Sequence, residues 1–433
     1  MQNIIQRGLG NMLFLLLFTA ISQAAMAAPQ TASARMGEAR LNPVLFVQSV
    51  LAQNPNIKIQ EAGHDAAVAR ITSAGALDDP MISYSSAPQT IGTKMGYRQN
   101  VQISQTIPWP GTLDLRSHAA SAEAKSAEYQ FVDMRLRLAA SARATYADWY
   151  YVYQALAINS KSIKLVTQMK TVAEAAYASG SSPQQDVLQA EIELTRLKNQ
   201  TLELERRRAD VRAAINALLN DDQASAVNPP GGLPAPATRH SLPELNEAAL
   251  LQYPALRGAD SEMAASRDRV ELAEKAYYPN FQFTAGQNTL MEPWQKQLTV
   301  GVSINIPIGD KHDGDFDEAQ AKLRQSQFKL ISTRNMLLSD LERTHAAIQQ
   351  IRSTIDLYDK RLVPLARLNL KAARIDYSSG SGAFLNVITA EQQQLMAELE
   401  RERARADYYT QFAILDYQTG GVIFDDGQQE TRP

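Results

Sequence analysis

The sequence predicts a mostly α protein with a small β part, built as one unit used twice: helix, two strands, a long helix and a shorter return helix. Three observations lead there. The two halves of the 433-residue chain match at an offset of about 200 residues. The expected helices carry alanine-rich and heptad patterns too long for a globular core, and four short segments alternate polar and apolar residues with a period of two.

The repeat is read from matched landmarks. Asn54-Pro55 answers Tyr253-Pro254, and Leu77-Asp78-Asp79-Pro80 answers Ala276-Tyr277-Tyr278-Pro279. Ile107-Pro108 answers Ile306-Pro307, and Tyr177-Ala178-Ser179-Gly180-Ser181 answers Tyr377-Ser378-Ser379-Gly380-Ser381. Val187 and Ala190-Glu191 answer Val387 and Ala390-Glu391. Chance is a poor source for so many matches in one order at near-constant spacing. The repeats occupy 28–220 and 242–420, joined by a linker at 221–241 rich in Pro, Gly, Ala and Asn, with a tail at 421–433.

Each half runs through the same elements. A short helix ends at the proline-bearing bend, and an Ala-rich helix follows at 57–77 or 255–276. Strands lie at about 81–107 and 280–307. The long helices are expected at 112–178 and 316–378, and the return helices at 183–219 and 383–417. At 1.5 Å per residue the first long helix would reach about 100 Å, the return helix about 55 Å and the Ala-rich helix about 30 Å, so the two shorter ones stacked end to end nearly match the long one. Pro364 falls inside the second long helix and is expected to bend or break it.

Packing signals agree. Ala190, Leu197, Leu204, Val211 and Leu218 recur every seven residues, with Glu193, Arg196, Glu203 and Arg206 between them, as in a coiled-coil seam. The long helix is dense in alanine (Ala119, Ala120, Ala122, Ala124, Ala127, Ala139, Ala140, Ala142, Ala144), which permits close helix approach. By themselves these features also suit a soluble coiled coil. The strands argue against that reading. Leu298, Val300, Val302, Ile304 and Ile306 alternate with Thr299, Gly301, Ser303 and Asn305, and Val101, Ile103 and Ile107 alternate with Gln102, Ser104 and Thr106. Such strands suit a barrel wall between lipid and water. Four cannot close a membrane barrel, because single-chain barrels start at eight, and open edges cannot face lipid. Amphipathic strands in this number therefore predict an oligomer.

Composition narrows the function. Net charge is −3, which gives no electrostatic case for nucleic acid. There is no cysteine, which excludes disulfides, thiol catalysis, thiolate metal sites and a lipid anchor on cysteine. Arg7, the apolar run Met12 to Phe18 and the small-residue site Ala25-Met26-Ala27 follow the order of a signal peptide over 1–27. An uncleaved anchor is the weaker reading, since the run is short for a bilayer.

The sequence resembles the TolC-like outer-membrane efflux family over nearly all of the mature chain. The motifs are Tyr177-x-x-Gly180 with Asp186-Val187-Leu188-x-Ala190, and Tyr377-x-x-Gly380 with Val387-Ile388-x-Ala390. Gln105-x-Ile107-Pro108-x-Pro110-Gly111 and Asn305-Ile306-Pro307-x-Gly309 add to them, and Pro108-Trp109-Pro110-Gly111 is similar to the heavy-metal (CzcC-type) branch. The resemblance implies a homotrimer in the outer membrane of a Gram-negative bacterium. Its twelve-stranded β-barrel would continue into a long α-helical coiled-coil periplasmic tunnel. It implies as partners outer-membrane lipid, a periplasmic adaptor and an inner-membrane pump of the resistance-nodulation-division (RND) type. The function implied is a passive exit duct, with heavy-metal cations as one class of cargo.

The same resemblance marks site residues. Asp186, Asn386 and Thr389 match the pore constriction at the periplasmic tip, where carboxylate rings favour cations. With only Asp186 acidic, the constriction is less acidic than in some members, and Asp186 also suits the first turn of a helix. Tyr177 and Tyr377 are placed to lock the tip or to pack there, and Gly180 and Gly380 to make its turns.

Nothing calls for catalysis or a cofactor. His64, His118, His240, His312 and His345 are scattered without metal-ligand spacing, and His312 is expected in a solvated loop. The outer loops are expected at 87–96 and 287–295; Met95, Met291 and Trp294 there suit interfacial packing better than a soft-metal relay. Two other readings stay open: a secretion channel of the same fold, and a periplasmic coiled-coil adaptor, although the flanking domains usual in adaptors are not evident.

Overall fold

A computed structural model of the chain describes residues 40–87, 98–234, 236, 241–289 and 296–424. The expected signal peptide, His240, Met95, Met291 and Trp294 lie outside the described residues.

The first repeat runs α1 (Pro43–Gln53), α2 (Pro55–Ala74), β1 (Met81–Ala87), β2 (Arg98–Ile107), α3 (Thr112–Ala178) and α4 (Gln184–Leu219). The second runs α5 (Leu242–Gln252), α6 (Pro254–Lys275), β3 (Phe281–Thr289), β4 (Lys296–Ile304), α7 (Lys311–Leu357), α8 (Val363–Ser378) and α9 (Phe384–Gln418). Proline supplies the first residue of α2 and of α6, where its missing N–H costs nothing. The Asn54 side chain caps α2 by accepting from the Asn56 N–H.

Asn54 also explains the end-to-end stacking. Its Nδ2 donates to the Leu218 carbonyl at the end of α4, at 2.9 Å, so α2 stands on α4. In the second repeat Tyr253, at the matching bend, meets Tyr417 near the end of α9, hydroxyl to hydroxyl at 2.9 Å. Each repeat is thus one continuous rod beside one composite rod. The rods lie in the order α2/α4, α3, α6/α9, α7/α8, with α3 packed on both composite rods. The sheet is antiparallel in the order β1-β2-β3-β4. Strand order and rod order therefore coincide, since each strand is joined to the rod at the same place in the row.

One expectation takes a specific form and two need correction. Pro364, expected to bend or break the helix, follows a local departure from α geometry that does not end the rod: a π-turn, Tyr358–Leu362, joins α7 to α8. Proline has no N–H for the carbonyl four residues back and its ring crowds that carbonyl. Widening the turn removes the conflict, and the Val363 N–H reaches back five residues to the Tyr358 carbonyl. The second long helix begins at Lys311 rather than 316, just after Gly309 at φ 104°. This puts His312 in the first helical turn instead of a loop. Its ring packs by Tyr277, whose hydroxyl donates to Asp313 at 2.7 Å. Finally, β3 runs on to Thr289, into the segment read as loop, whereas β4 stops at Ile304 and Asn305 caps the hairpin base by accepting from the Asn280 N–H.

The described part of the linker, 221–234, is held against the body of the protein. Leu41 exchanges backbone bonds with Pro229 and Gly231, both at 2.9 Å, while the Trp149 Nε1–H donates to the Asn228 carbonyl and the Tyr146 hydroxyl to that of Leu41. Tyr146 and Trp149 are buried on α3, so α1 and the linker form a belt at its waist. Beside it Arg143 and Asp416, both buried, pair at 2.9 Å, and Asp416 also accepts the Ile423 and Phe424 N–H groups.

Candidate functional site

The sheet sorts its side chains by chemistry. Register places Ile82, Ile103, Ala285 and Val300 in one row, and Tyr84, Val101, Gln287 and Leu298 in the next row of that face. The opposite face carries Ser83, Gln102, Gly286 and Thr299, then Ser85, Asn100, Asn288 and Gln297. One side is thus predominantly apolar, with polar residues such as Gln99, Thr289 and Lys296 gathered at the outer strand ends, and the other is almost wholly polar. The apolar side is bare: Leu298 is 77% exposed and Val300 75%. On the polar side a Cβ at Gly301 would lie 2.9 Å from Thr284 Oγ1, so side-chain space there is tight.

Below the strands the chemistry changes. Trp109 stacks on Tyr278 at 4.9 Å and on Phe281 at 6.0 Å, and the Lys275 ammonium lies over the Tyr278 ring. Aromatic rings with a nearby cation are the usual furniture of a membrane–water boundary. No helix among the described residues is long and apolar enough to cross a membrane.

The far end holds the tip. Both long helices end in the same αL turn. The Ser181 N–H donates to the Ala176 carbonyl and the Ser381 N–H to that of Asp376, each at 2.9 Å, with Gly180 at φ 74° and Gly380 at φ 76°. Six-to-one closure around a left-handed residue is the Schellman cap, and glycine, with no Cβ, enters that region most readily.

The tip is not symmetric between repeats. The Tyr377 hydroxyl donates to Asp186 at 3.2 Å, while the Ser182 hydroxyl bonds the same carboxylate. Tyr377 also packs edge-on against Phe384. Burial first, and the Asp186 carboxylate second among the raising influences, push the Tyr377 phenol above its ordinary pKa. The bond ties α8 of the second repeat to α4 of the first. Tyr177, by contrast, is half-exposed, and its hydroxyl makes no hydrogen bond among the described residues. Asn386 and Thr389 are exposed on the opening turns of α9, with Thr389 Oγ1 turned back to the Leu385 carbonyl. Among the described residues no group of three His, Cys, Asp or Glu is placed to hold a metal ion.

A model of the outer membrane efflux protein family matches residues 46–221 and again 245–421. The chain belongs to that family. The double match falls on the two repeats, one copy to each. The efflux protein is 21% identical over 305 residues to the cobalt-zinc-cadmium resistance protein CzcC of Cupriavidus metallidurans, covering 69% of this chain and 71% of that protein. It is 23% identical over 326 residues to the probable outer membrane lipoprotein SilC of Salmonella typhimurium, covering 69% and 67%. Its fold is that of the outer membrane protein VceC from Vibrio cholerae, with a TM-score of 0.76 at 17% identity over 88% of this chain and 96% of that one. The family is one of outer-membrane channels that work with an adaptor and an inner-membrane pump, which places the efflux protein in the Gram-negative outer membrane.

The sequence motifs give no role to Ser182 or to Glu398 and Glu402, and mark Glu193 only as a charge between seam steps and Glu391 only as a repeat landmark, yet all four glutamates are buried. A signal for the glutamates was present. In α9, Phe384, Ile388, Glu391, Leu395, Glu398 and Glu402 follow the 4-3-4-3-4 spacing of a helix seam, and Glu193 lies three residues after Ala190.

Proposed function

We propose that three copies of this chain close into one duct, a twelve-stranded barrel through the outer membrane above a periplasmic tunnel of helices. In this reading the duct passively carries cargo handed over by a periplasmic adaptor and an inner-membrane pump of the RND type. The observation that carries it is the sheet: apolar on one face, polar on the other, with unpaired edges at β1 and β4. Lipid accepts the first face, water the second, and neither accepts an open edge. The helical rods end at the same two places in the row. Apolar side chains stay exposed there, among them Ile192 and Leu202 on α4 and Leu365 and Leu368 on α8. A neighbouring copy would cover strand edge and rod edge together.

At the tip, Asp186, Asn386 and Thr389 form the constriction, with the Tyr377–Asp186 bond holding it narrow and the two glycine turns facing the adaptor. Residues 1–27 are the leader removed on export. Heavy-metal cations are the proposed cargo, a reading supported by likeness to the cobalt-zinc-cadmium resistance protein and by the Pro108-Trp109-Pro110-Gly111 segment. Deleting the gene should sensitise cells to one or more of cobalt, zinc, cadmium, copper and silver, with resistance restored by the intact gene. An unaltered metal panel alongside new drug sensitivity would move the cargo to drugs; no change in either would remove the efflux role.

A further inference from the structure

Charge buried in a helix seam needs a partner, and the four buried glutamates differ in having one. Glu193 on α4 accepts two bonds from the Arg196 Nε at 2.9 and 3.0 Å and one from the Gln392 Nε2 at 2.7 Å. Glu398 accepts from the Arg367 guanidinium at 2.7 and 2.9 Å. Glu402 is held by Arg401, Arg405 and the Tyr150 hydroxyl. Glu391, 2% exposed, has no well-formed hydrogen bond at either carboxylate oxygen. It sits on α9 two turns above Phe384, against α4 and the apolar core of the tip.

We propose that Glu391 is a proton-binding site that fastens the two return helices: its protonated carboxyl bridges α9 to Glu193 on α4, and loss of the proton loosens the tip. The groups facing it come from four elements. Ser162 and, across an adjoining cavity, Lys161 come from α3. Glu193 and Arg196 come from α4, with Arg196 already engaged by Glu193. Arg367 comes from α8, engaged by Glu398, and Gln392, Gln394 and Glu398 come from α9 itself. Both nearby guanidiniums are thus committed to other carboxylates, and Glu193 is the acceptor to which a Glu391 O–H can donate. Two ionised carboxylates side by side in this seam would repel with little water to screen them. The cavity, about 250 Å³ and lined by Ser162, Lys161 and Gln394, gives water a route to the group. Burial first, with Glu193 adding to it, raises the Glu391 pKa to about 6, inside the range that a periplasm open to its surroundings experiences.

The sign follows from linkage. The folded state holds a proton that the unfolded chain has released, so this contribution to stability is full below the ordinary value of 4.5, falls as pH rises to about 6, and is flat above. Purified protein in detergent should show the infrared band of a protonated carboxyl at about pH 5 and lose it by about pH 7.5. Glu391→Gln should lack that band at both and lose the fall in thermal midpoint across the same window. Glu193→Gln, which keeps Glu391 and removes the like charge, should shift the titration to lower pH. In planar bilayers the leak conductance should rise with pH in the natural protein and lose its pH dependence in Glu391→Gln. That last step rests on the channel reading; the infrared and thermal measurements do not. A carboxyl band absent at pH 5, or unchanged in Glu391→Gln, overturns the proton site. A band that titrates without any change in conductance overturns its link to the tip.

Discussion

Tyr177 and Tyr377 occupy matching places in the two repeats, yet only Tyr377 bonds across to the other repeat. The difference traces to what each hydroxyl can reach: Tyr377 meets Asp186 and Ser182, whereas Asn386 and Gly382 stand where Asp186 and Ser182 do in the other repeat. Gly382 has its own reason, since a Cβ there would sit 2.8 Å from the Asp376 Cβ. A hydrogen bond to a charged group contributes about 1.5 kcal/mol or more, roughly tenfold in an equilibrium such as the proposed opening of the tip. Tyr377→Phe should therefore raise leak conductance in planar bilayers by up to about that factor, and Tyr177→Phe should leave it unchanged. Asp186→Ala should also raise the leak and weaken cation preference; an unaltered ion profile would leave Asp186 as a helix-start acid alone. The tip motif itself is legible in the sequence because Tyr-x-x-Gly encodes a backbone turn. Which tyrosine finds a partner is not, because that depends on a side chain about 190 residues away.

At the scale of the element, α4 shows two faces. Ala190 and Leu197 are buried at the seam, while Leu188, Ile192 and Leu202 on the same helix remain more than half exposed. Removing Leu197 to Ala leaves a hole in the core of the tip and should cost about 2–5 kcal/mol, read as a lower thermal midpoint. Leu202→Glu should leave the protomer's fold intact and instead weaken its assembly, read as loss of the oligomer band on an unheated gel. Equal effects of the two changes on folding would mean that the exposed face is not an interface. The heptad spacing shows the seam in the sequence, but by that spacing Glu193 falls among the charges between its steps. Three residues after Ala190 it takes the second core position, and its charge is tolerated because Arg196 and Gln392 reach it. Helix ends were legible where Gly or Pro dictates the backbone, as at Gly111 and Pro55. The π-turn was not, because proline's conflict with a helix has several remedies and packing chooses among them: Asp359, inside that turn, pairs with Arg405 of α9 at 3.0 Å.

The whole molecule is defined by a row of four strands over a row of four rods, with both rows unfinished at the same ends. Period-two alternation made the two faces of the sheet readable, and the strand count made it plain that one chain is not enough. How copies meet is not in the sequence of one chain, since the register between β1 of one and β4 of the next is set by how the closed sheet tilts. The absence of cysteine makes this directly testable, because any thiol introduced is the only one present. Ser83→Cys on β1 can be combined in turn with Gln297→Cys, Thr299→Cys or Ser303→Cys on β4, all of them on the polar face. Within one protomer β1 and β4 are separated by two strands at about 4.8 Å spacing, a span near 14 Å that no disulfide covers. Oxidation of the membrane-embedded protein should thus link separate chains, and in the double variant with the right register it should close a covalent ring of three. A ladder that passes beyond three would indicate an open or larger ring. Chains that stay single across the whole set would mean that the edges do not meet, and with that the shared barrel would fall.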